Sequence, residues 1–347
     1  MRPVKTAFAS FGMSGQVFHA PLIDVNPGFE IVKILERTKS VSGSKYPHAT
    51  IVRDYDELCS ADDVELIIVN TPDHTHYDFT KRAILSGKHV VVEKPFTLKY
   101  SEALELAELA EKSSVVLSVF QNRRWDGDFL TVKRIVEQKL LGRLVEYESH
   151  FDRYRNYIQE NTWKEDASTG TGTLYNLGSH LIDQALVLFG KPGKVIADIR
   201  TFREGGSVDD SFELWLGYDD IKVTVCASYL VREQGPRYML HGTEGSFLKW
   251  GIDPQEADLK RGIAPTGPDW GKEEEKDWGL LNTKIAGSQI RGSYETLPGN
   301  YQAYYNNIYS VIREGAAPEV TPSEAALVIK IIEAATESAR KGCSVSI

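Results

Sequence analysis

Short apolar runs separated by amphipathic stretches fill the N-terminal third of the chain. Lys5–Phe11 is rich in Ala and Phe, and Glu30–Leu35, Glu65–Asn70, His89–Val92 and Val115–Phe120 are rich in Val and Ile. Unbroken runs of that length suit strands buried on both faces of a parallel sheet. Between them, Tyr77–Ser86 and Ser101–Lys112 read as helices, the latter with Leu104, Ala107 and Leu109 on an apolar side opposite glutamates. Repeated strand–helix–strand order predicts a doubly wound α/β sheet with right-handed crossovers.

The pattern then changes. Leu144–Phe151, Val195–Phe202, Ser211–Gly217, Lys222–Tyr229 and Arg237–His241 are longer, several alternate with period two, and Gly and Asp turns join them. One helix near Leu177–Phe189 interrupts the series. This predicts an α+β domain with a large, mainly antiparallel sheet. Residues 251–300 combine Gly, Pro and Trp with the charge run Lys272–Asp277, and read as an ordered insertion or long loop with a solvated charged face. Thr321-Pro322-Ser323-Glu324 offers an N-cap, a first-turn proline and a capping-box glutamate, so a helix is expected to about Lys341, stopped by Gly342. The expected division is a dinucleotide-binding Rossmann domain over 1–122 and a substrate-binding and oligomerisation domain over 123–347. Helix 322–341 is free to pack back on the first domain.

Composition narrows the function. The chain has 347 residues, 41% hydrophobic and 26% charged, enough for two ordinary globular domains. A net charge of −9 with both signs interspersed argues against nucleic-acid binding, which needs clustered Lys and Arg. No apolar run approaches the roughly 18 residues of a membrane span, and the start lacks the features of a signal peptide. Cys59, Cys226 and Cys343 match no metal-ligand or disulfide spacing and suit a reducing compartment, so a cytoplasmic protein without a metal is expected.

The first strand runs into Ser10-Phe11-Gly12-Met13-Ser14-Gly15, a dinucleotide-binding turn with Ser10 where the first glycine is usual. Gly12 allows close approach of a pyrophosphate, Gly15 close helix packing, and the following N–H groups face the phosphates. The second strand ends at Glu36-Arg37-Thr38-Lys39. Glu36 can take the ribose hydroxyls of NAD, whereas Arg37 and Lys39, with the Thr38 hydroxyl, can clamp the 2′-phosphate of NADP. Glu36 would repel that phosphate unless it turned away; the balance slightly favours NADP over NAD. Thr71, Pro72 and His76 follow the strand ending at Asn70, at a carboxyl edge where ligands bind, while His74 suits an ordinary loop position. Strand His89–Val92 delivers Glu93-Lys94-Pro95, and a lysine there can exchange a proton with a substrate hydroxyl. Asn122 leaves the sixth strand near the expected nicotinamide. Arg123, Arg124 and Trp125 can contact substrate, although one of two adjacent arginines can equally tie the domains together. Asp152, Tyr154, Arg155 and Trp163 can face substrate from the second domain, where Tyr and Trp equally suit a core.

Taken together, the Gly-rich turn, TPDHTH, GKHVVVEKPF, and Gly178-Ser179-His180 with Asp183 resemble the glucose–fructose oxidoreductase/inositol dehydrogenase/rhizopine catabolism (Gfo/Idh/MocA) family across essentially the whole chain. SVFQNRRWDGDFLTVK, TGTLYNLGSHLIDQ and KWGIDPQE resemble its NADP-dependent scyllo-inositol dehydrogenase branch. The resemblance implies hydride transfer between nicotinamide and a hydroxyl carbon of a cyclic polyol or sugar. It implies that Lys94 and His180 are catalytic, that Asp183 binds substrate hydroxyls, and that the bond before Pro95 is cis. The family commonly has Asp four residues before the histidine; this chain has Asn176. On a helix Asn176, His180 and Asp183 share a face. Because Asn cannot supply the charge that favours imidazolium, the leading acid/base role goes to Lys94, and orientation or proton relay to His180. Two alternatives stay open: bound NAD as an internal redox relay in glycoside hydrolysis, and a noncatalytic sensor of NADP and sugar. A broad exposed sheet would favour a homodimer or homotetramer.

Overall fold

The computed structural model describes residues 2–160, 162–166 and 172–347. Thr171, which opens the motif ending at Gln184, lies outside them. The chain divides into two compact units. One comprises Met1–Trp125, Gln255–Trp270 and Asn300–Ala326; the other comprises Asp126–Pro254, Gly271–Gly299 and Leu327–Ile347. Two later segments, 255–270 and 300–326, thus belong to the first compact unit.

The first unit carries a six-stranded parallel sheet: β1 (Val4–Phe8), β2 (Phe29–Leu35), β3 (Thr50–Val52), β4 (Leu66–Val69), β5 (His89–Val92) and β6 (Leu117–Val119), in the order β3-β2-β1-β4-β5-β6. Every residue of β4 is buried, as are Val90–Val92, which explains the unbroken apolar runs. The order reverses at β1, so the carboxyl ends of β1 and β4 flank the crevice where such sheets bind ligands. Helix Tyr100–Lys112 buries Ala103, Leu106 and Ala110. Leu104, expected on the apolar side, is exposed, and the packing face runs through Ala103, Leu106 and Ala110 instead. Helix Gln302–Glu314, unforeseen in the sequence, joins this unit through Tyr304, Tyr305 and Ile308. Phe29 meets the Tyr305 ring edge-on at 5.5 Å. Asn26 Nδ2 donates to Asn306 Oδ1 at 2.9 Å, and Arg313 pairs with Glu65 at 2.9 Å.

Among the described residues the second unit carries nine strands: β7 (Leu144–His150), β8 (Lys194–Arg200), β9 (Ser211–Gly217), β10 (Lys222–Ser228), β11 (Tyr238–Gly242), β12 (Gly245–Lys249), β13 (Gly279–Ile285), β14 (Ser288–Tyr294) and β15 (Val345–Ser346). Their order is β14-β13-β12-β11-β7-β10-β9-β8-β15, and the pairing is antiparallel except between β7 and β10. Alternation sends Tyr147, Leu214, Leu216, Val223, Val225, Leu240 and Phe247 inward. Glu146, Glu148, Glu213 and Lys222 lie on the other face.

The segment 251–300 is not a plain insertion. It supplies helix Gln255–Lys260 to the first unit and the β13–β14 hairpin to the second sheet. Its charge run is mostly exposed, but Glu273 pairs at 3.0 Å with Lys249, which is wholly buried. At the far end, helix Pro322–Lys341 starts on the expected reciprocal cap between Thr321 and Glu324 and stops at Gly342, whose φ is +67°. No helix among the described residues is long and apolar enough to cross a membrane.

Candidate active site

Ser10 has a structural reason to replace glycine. Its hydroxyl donates to the Asn70 carbonyl at 2.8 Å. The Asn70 amide accepts from Ser10 N at 3.0 Å and donates to Ser10 O at 2.9 Å. These three bonds lock the ends of β1 and β4 together. Gly15 sits against the same pair: a Cβ there would lie 2.7 Å from Asn70 Nδ2 and 2.9 Å from Ser10 O. Gly12 differs, since a Cβ would meet nothing nearer than Ser10 Oγ at 3.9 Å. The backbone at Gly12 thus faces open ground, as the approach of a pyrophosphate requires, and the turn fits a dinucleotide. Phe11 is buried edge-on to Tyr46, while Met13 is exposed.

At the end of β2, Glu36 is only 6% exposed. Its carboxylate turns into the following loop and accepts from Val41 N and Ser42 N, both at 2.8 Å, and from the Ser42 hydroxyl. Burial alone would raise its pKa. The Ser42 hydroxyl and amide, the Val41 amide and Arg53 outweigh that and bring it below the ordinary carboxylate value. Arg37, Thr38 and Lys39 are exposed. Arg53, at the end of β3, donates to the carbonyls of Glu36 and Lys39 and, at 2.9 Å, to Ser40 Oγ.

After β4, Thr75 Oγ1 donates to Pro72 O at 2.6 Å and lies 2.7 Å from Thr71 Oγ1. His76 is a histidine held on both ring nitrogens. It is fully buried, with Nδ1 2.7 Å from Pro95 O and Nε2 3.0 Å from Thr71 O, so both ring nitrogens face backbone carbonyls. The ring is a strut between the Thr71 and Pro95 loops, and His74 is exposed in the 3-10 turn Asp73–Thr75.

Glu93 and Lys94 follow β5, and the Lys94–Pro95 bond is cis. Glu93 Oε1 accepts from the Ser14 hydroxyl and lies 3.0 Å from His19 Nε2; Oε2 accepts from Lys94 N at 3.1 Å. His19 closes a π-turn, Gly15–His19, immediately after the Gly-rich turn, and its Nδ1 lies 2.6 Å from Tyr305 Oη. Burial would push the Glu93 carboxyl up, but His19, Lys94 and Ser14 hold it down at about 2. The residue before the lysine is therefore an anion bonded to the nucleotide turn.

Asn122 is buried in the 3-10 turn Asn122–Trp125. Arg123 and Trp125, candidate substrate contacts, are both buried and have protein partners. Arg123 pairs with Glu256, and Trp125 is buried edge-on to Tyr304 at 5.6 Å while its carbonyl accepts from Asn300 N and Gln255 Nε2. Arg124 donates to Glu319 O at 2.6 Å. These bonds return segments 255–270 and 300–326 to the first unit.

In the second unit the chain enters helix Ser179–Phe189 through a second π-turn, Leu174–Gly178. His180 and Asp183 share the expected face and are buried. Asn176 falls in the wider turn that precedes the helix. The His180 ring stands 6.4 Å from Phe151, and the Arg237 guanidinium lies 3.3 Å from that ring's centroid. Arg237 Nη1 donates to His150 O at 2.6 Å, and Nε faces Asp128 at 3.4 Å. Asp209 caps the turn: Oδ2 accepts from Leu174 N and the Thr173 hydroxyl, both at 2.8 Å. Tyr154 is exposed, stacked under Arg232 at 4.1 Å, and Asp152 accepts from Ser228 N at 3.0 Å.

Sequence reasoning missed Asn70, His19, Tyr305, Arg53 and Asp209. Asn70 carried a signal, being a polar residue ending an apolar strand opposite the Gly-rich turn.

Residues 4–121 match the description "Oxidoreductase family, NAD-binding Rossmann fold", and residues 133–347 match "Oxidoreductase family, C-terminal alpha/beta domain". The chain belongs to the Gfo/Idh/MocA oxidoreductase family and carries its NAD(P)-binding Rossmann domain. It is 42% identical over 345 residues to scyllo-inositol 2-dehydrogenase (NADP(+)) IolW of Bacillus subtilis strain 168, covering 97% of this chain and 94% of that one. It is 38% identical to the uncharacterized oxidoreductase YdgJ of Escherichia coli K12, covering 97% and 96%. Among solved structures, a Bacteroides fragilis NCTC 9343 protein superposes with a TM-score of 0.93 at 50% identity over all of both chains. An oxidoreductase from Bacillus cereus superposes at 0.91 and 34% identity, covering 100% and 99%.

Proposed function

We propose that this protein is an NADP-dependent dehydrogenase acting on a hydroxyl carbon of a cyclic polyol or sugar, with an inositol favoured. The observation that carries the reading is the Glu93–Lys94 pair at the carboxyl end of β5, bonded back to Ser14 of the dinucleotide turn. These bonds tie the backbone of Lys94, through Glu93, to the turn that fits a nucleotide's phosphates, and so support a proton-exchanging role for the lysine. The name of the Bacillus subtilis relative supports both the substrate class and the cofactor. The exposed Arg37, Thr38 and Lys39, beside an inward-turned Glu36, also favour a 2′-phosphate.

When bound, NADP⁺ supplies the hydride acceptor. Lys94 Nζ, as the amine, takes the hydroxyl proton as the C–H bond of the same carbon breaks, leaving a ketone; in reverse its ammonium returns the proton. Glu93 orients the lysine backbone through its bond to Lys94 N. His180 orients the substrate hydroxyl or relays the proton, and Asp183 accepts from neighbouring hydroxyls. A hydroxyl-rich substrate suits these polar partners better than an apolar alcohol.

The test separates the two catalytic candidates. Lys94→Ala is expected to lower kcat by about a hundredfold or more while retaining NADP⁺ binding, and His180→Ala to lower it less. Full turnover in Lys94→Ala with loss in His180→Ala would exchange the roles.

A further inference from the structure

We infer that Glu36, Ser42 and Arg53 form a lock that selects for the 2′-phosphate by holding the loop 37–41 in one shape. This rests on the NADP reading above and deepens it. An acidic side chain ending the second strand is placed to accept from ribose hydroxyls. Here that carboxylate is consumed by the loop itself, accepting two backbone N–H groups and a hydroxyl from Val41 and Ser42. Charge-assisted bonds to backbone amides are among the stronger ones, and a buried carboxylate that has them is not readily recruited elsewhere.

Two consequences follow for a nucleotide. The acceptor that would favour an unphosphorylated ribose is withdrawn, and its negative charge is engaged by the Val41 and Ser42 donors, while Arg37 and Lys39 stay exposed. Arg53 completes the lock from β3. Its guanidinium joins the carbonyls of Glu36 and Lys39 and the Ser40 hydroxyl, fixing both ends of the tetrapeptide that presents Arg37, Thr38 and Lys39. A planar fork with fixed donors can hold three acceptors in one arrangement, which lysine cannot. Glu36, Ser42 and Arg53 are thus positioning residues: they need not touch the phosphate, and they determine whether the groups that do are in place before it arrives.

The sign of the Glu36→Gln effect separates the lock from simple charge repulsion. Glutamine keeps the size but meets the Val41 and Ser42 amides with a donor as well as an acceptor, so the loop loosens. Isothermal titration of the full-length protein with NADP⁺ and with NAD⁺ reads the outcome without any substrate. Wild type is expected to prefer NADP⁺. Glu36→Gln is expected to weaken NADP⁺ by about tenfold, even though it removes a negative charge from the loop, with NAD⁺ changed by no more than about twofold. Arg53→Gln should do the same, and Arg53→Lys should recover part of the loss.

Tighter NADP⁺ binding by Glu36→Gln would mean that the carboxylate repels the phosphate, and would overturn the lock. Weaker NAD⁺ binding with NADP⁺ unchanged would return Glu36 to the ribose and would overturn it equally. If Glu36→Gln fails to fold, Ser42→Ala carries the test, with an expected loss of about threefold for NADP⁺ alone; no change there overturns the lock. A wild type that prefers NAD⁺ would defeat both the cofactor reading and the lock. A wild type that prefers NADP⁺ with unaffected variants would defeat the lock only.

Discussion

His19 Nε2 lies 3.0 Å from Glu93 Oε1, so the end of the π-turn after the Gly-rich loop is fastened to the residue preceding the candidate catalytic lysine. Tyr305 backs the same imidazole from helix Gln302–Glu314 at 2.6 Å. Removing that support should disturb Lys94 without touching it. His19→Ala is expected to lower kcat by about tenfold, with KM for the polyol changed less, because a misplaced proton acceptor costs rate more than binding. Steady-state kinetics on the two variants His19→Ala and Tyr305→Phe check this, the second showing the smaller loss.

The same carboxylate gives a pH prediction. Glu93 titrates at about 2 in the folded protein, below its ordinary value of 4.5. A depressed carboxyl stabilises the fold above its unfolded pKa, and that contribution disappears as pH falls through the folded value. The stability advantage of wild type over Glu93→Gln should therefore be full above about pH 5 and fade toward about pH 2, with a size on the order of 3 kcal/mol. Urea unfolding at a series of pH values measures it; an advantage that grows on acidification would contradict the assignment.

Gly15→Ala should be far more damaging than Gly12→Ala to the fold. The first puts a methyl 2.7 Å from Asn70 Nδ2 and 2.9 Å from a backbone oxygen, whereas the second meets only open ground. Overpacking of this kind costs about 1–3 kcal/mol. Gly12→Ala should instead weaken dinucleotide binding with little change in Tm, so thermal unfolding beside a nucleotide titration distinguishes the two.

Asp209 should tolerate Asn but not Ala. Burial raises its pKa, so the ionised form is costly in the fold, and the asparagine carbonyl can still accept from Thr173 and Leu174. Loss of the cap in Asp209→Ala is expected to cost about 1–2 kcal/mol and to lower turnover, since the capped turn leads into the helix carrying His180 and Asp183. Chemical denaturation of both variants tests the order.

Much of this was legible in the sequence because burial left a pattern. β4 and the Val90–Val92 run of β5 are apolar since both faces are covered, and the cap and stop of helix Pro322–Lys341 are written in Thr321, Glu324 and Gly342. β3 escaped notice at three residues, Thr50–Val52. Helix Gln302–Glu314 did so because tyrosines form much of its buried side. The β13–β14 hairpin turns on Ala286 and Gly287, both with positive φ, without the Asn-Gly or Asp-Gly signal. At the site, the motifs named Ser10–Gly15, Lys94 and His180, but not their supports. His19 and Tyr305 stand 286 positions apart, and whether Glu36 faces a ribose or its own loop depends on where the Val41 and Ser42 amides lie. Neither relation has a local sequence signature.

The proposed activity itself can be read by mixing the purified protein with NADP⁺ and scyllo-inositol and following nicotinamide reduction, with NAD⁺ and a panel of other inositols and aldoses in parallel. Reduction of NADP⁺ with a cyclic polyol is expected, faster than that of NAD⁺, and should be lost in Lys94→Ala. Reduction of NAD⁺ alone, or no reduction with any polyol or sugar by a protein that binds NADP⁺, would contradict the proposal.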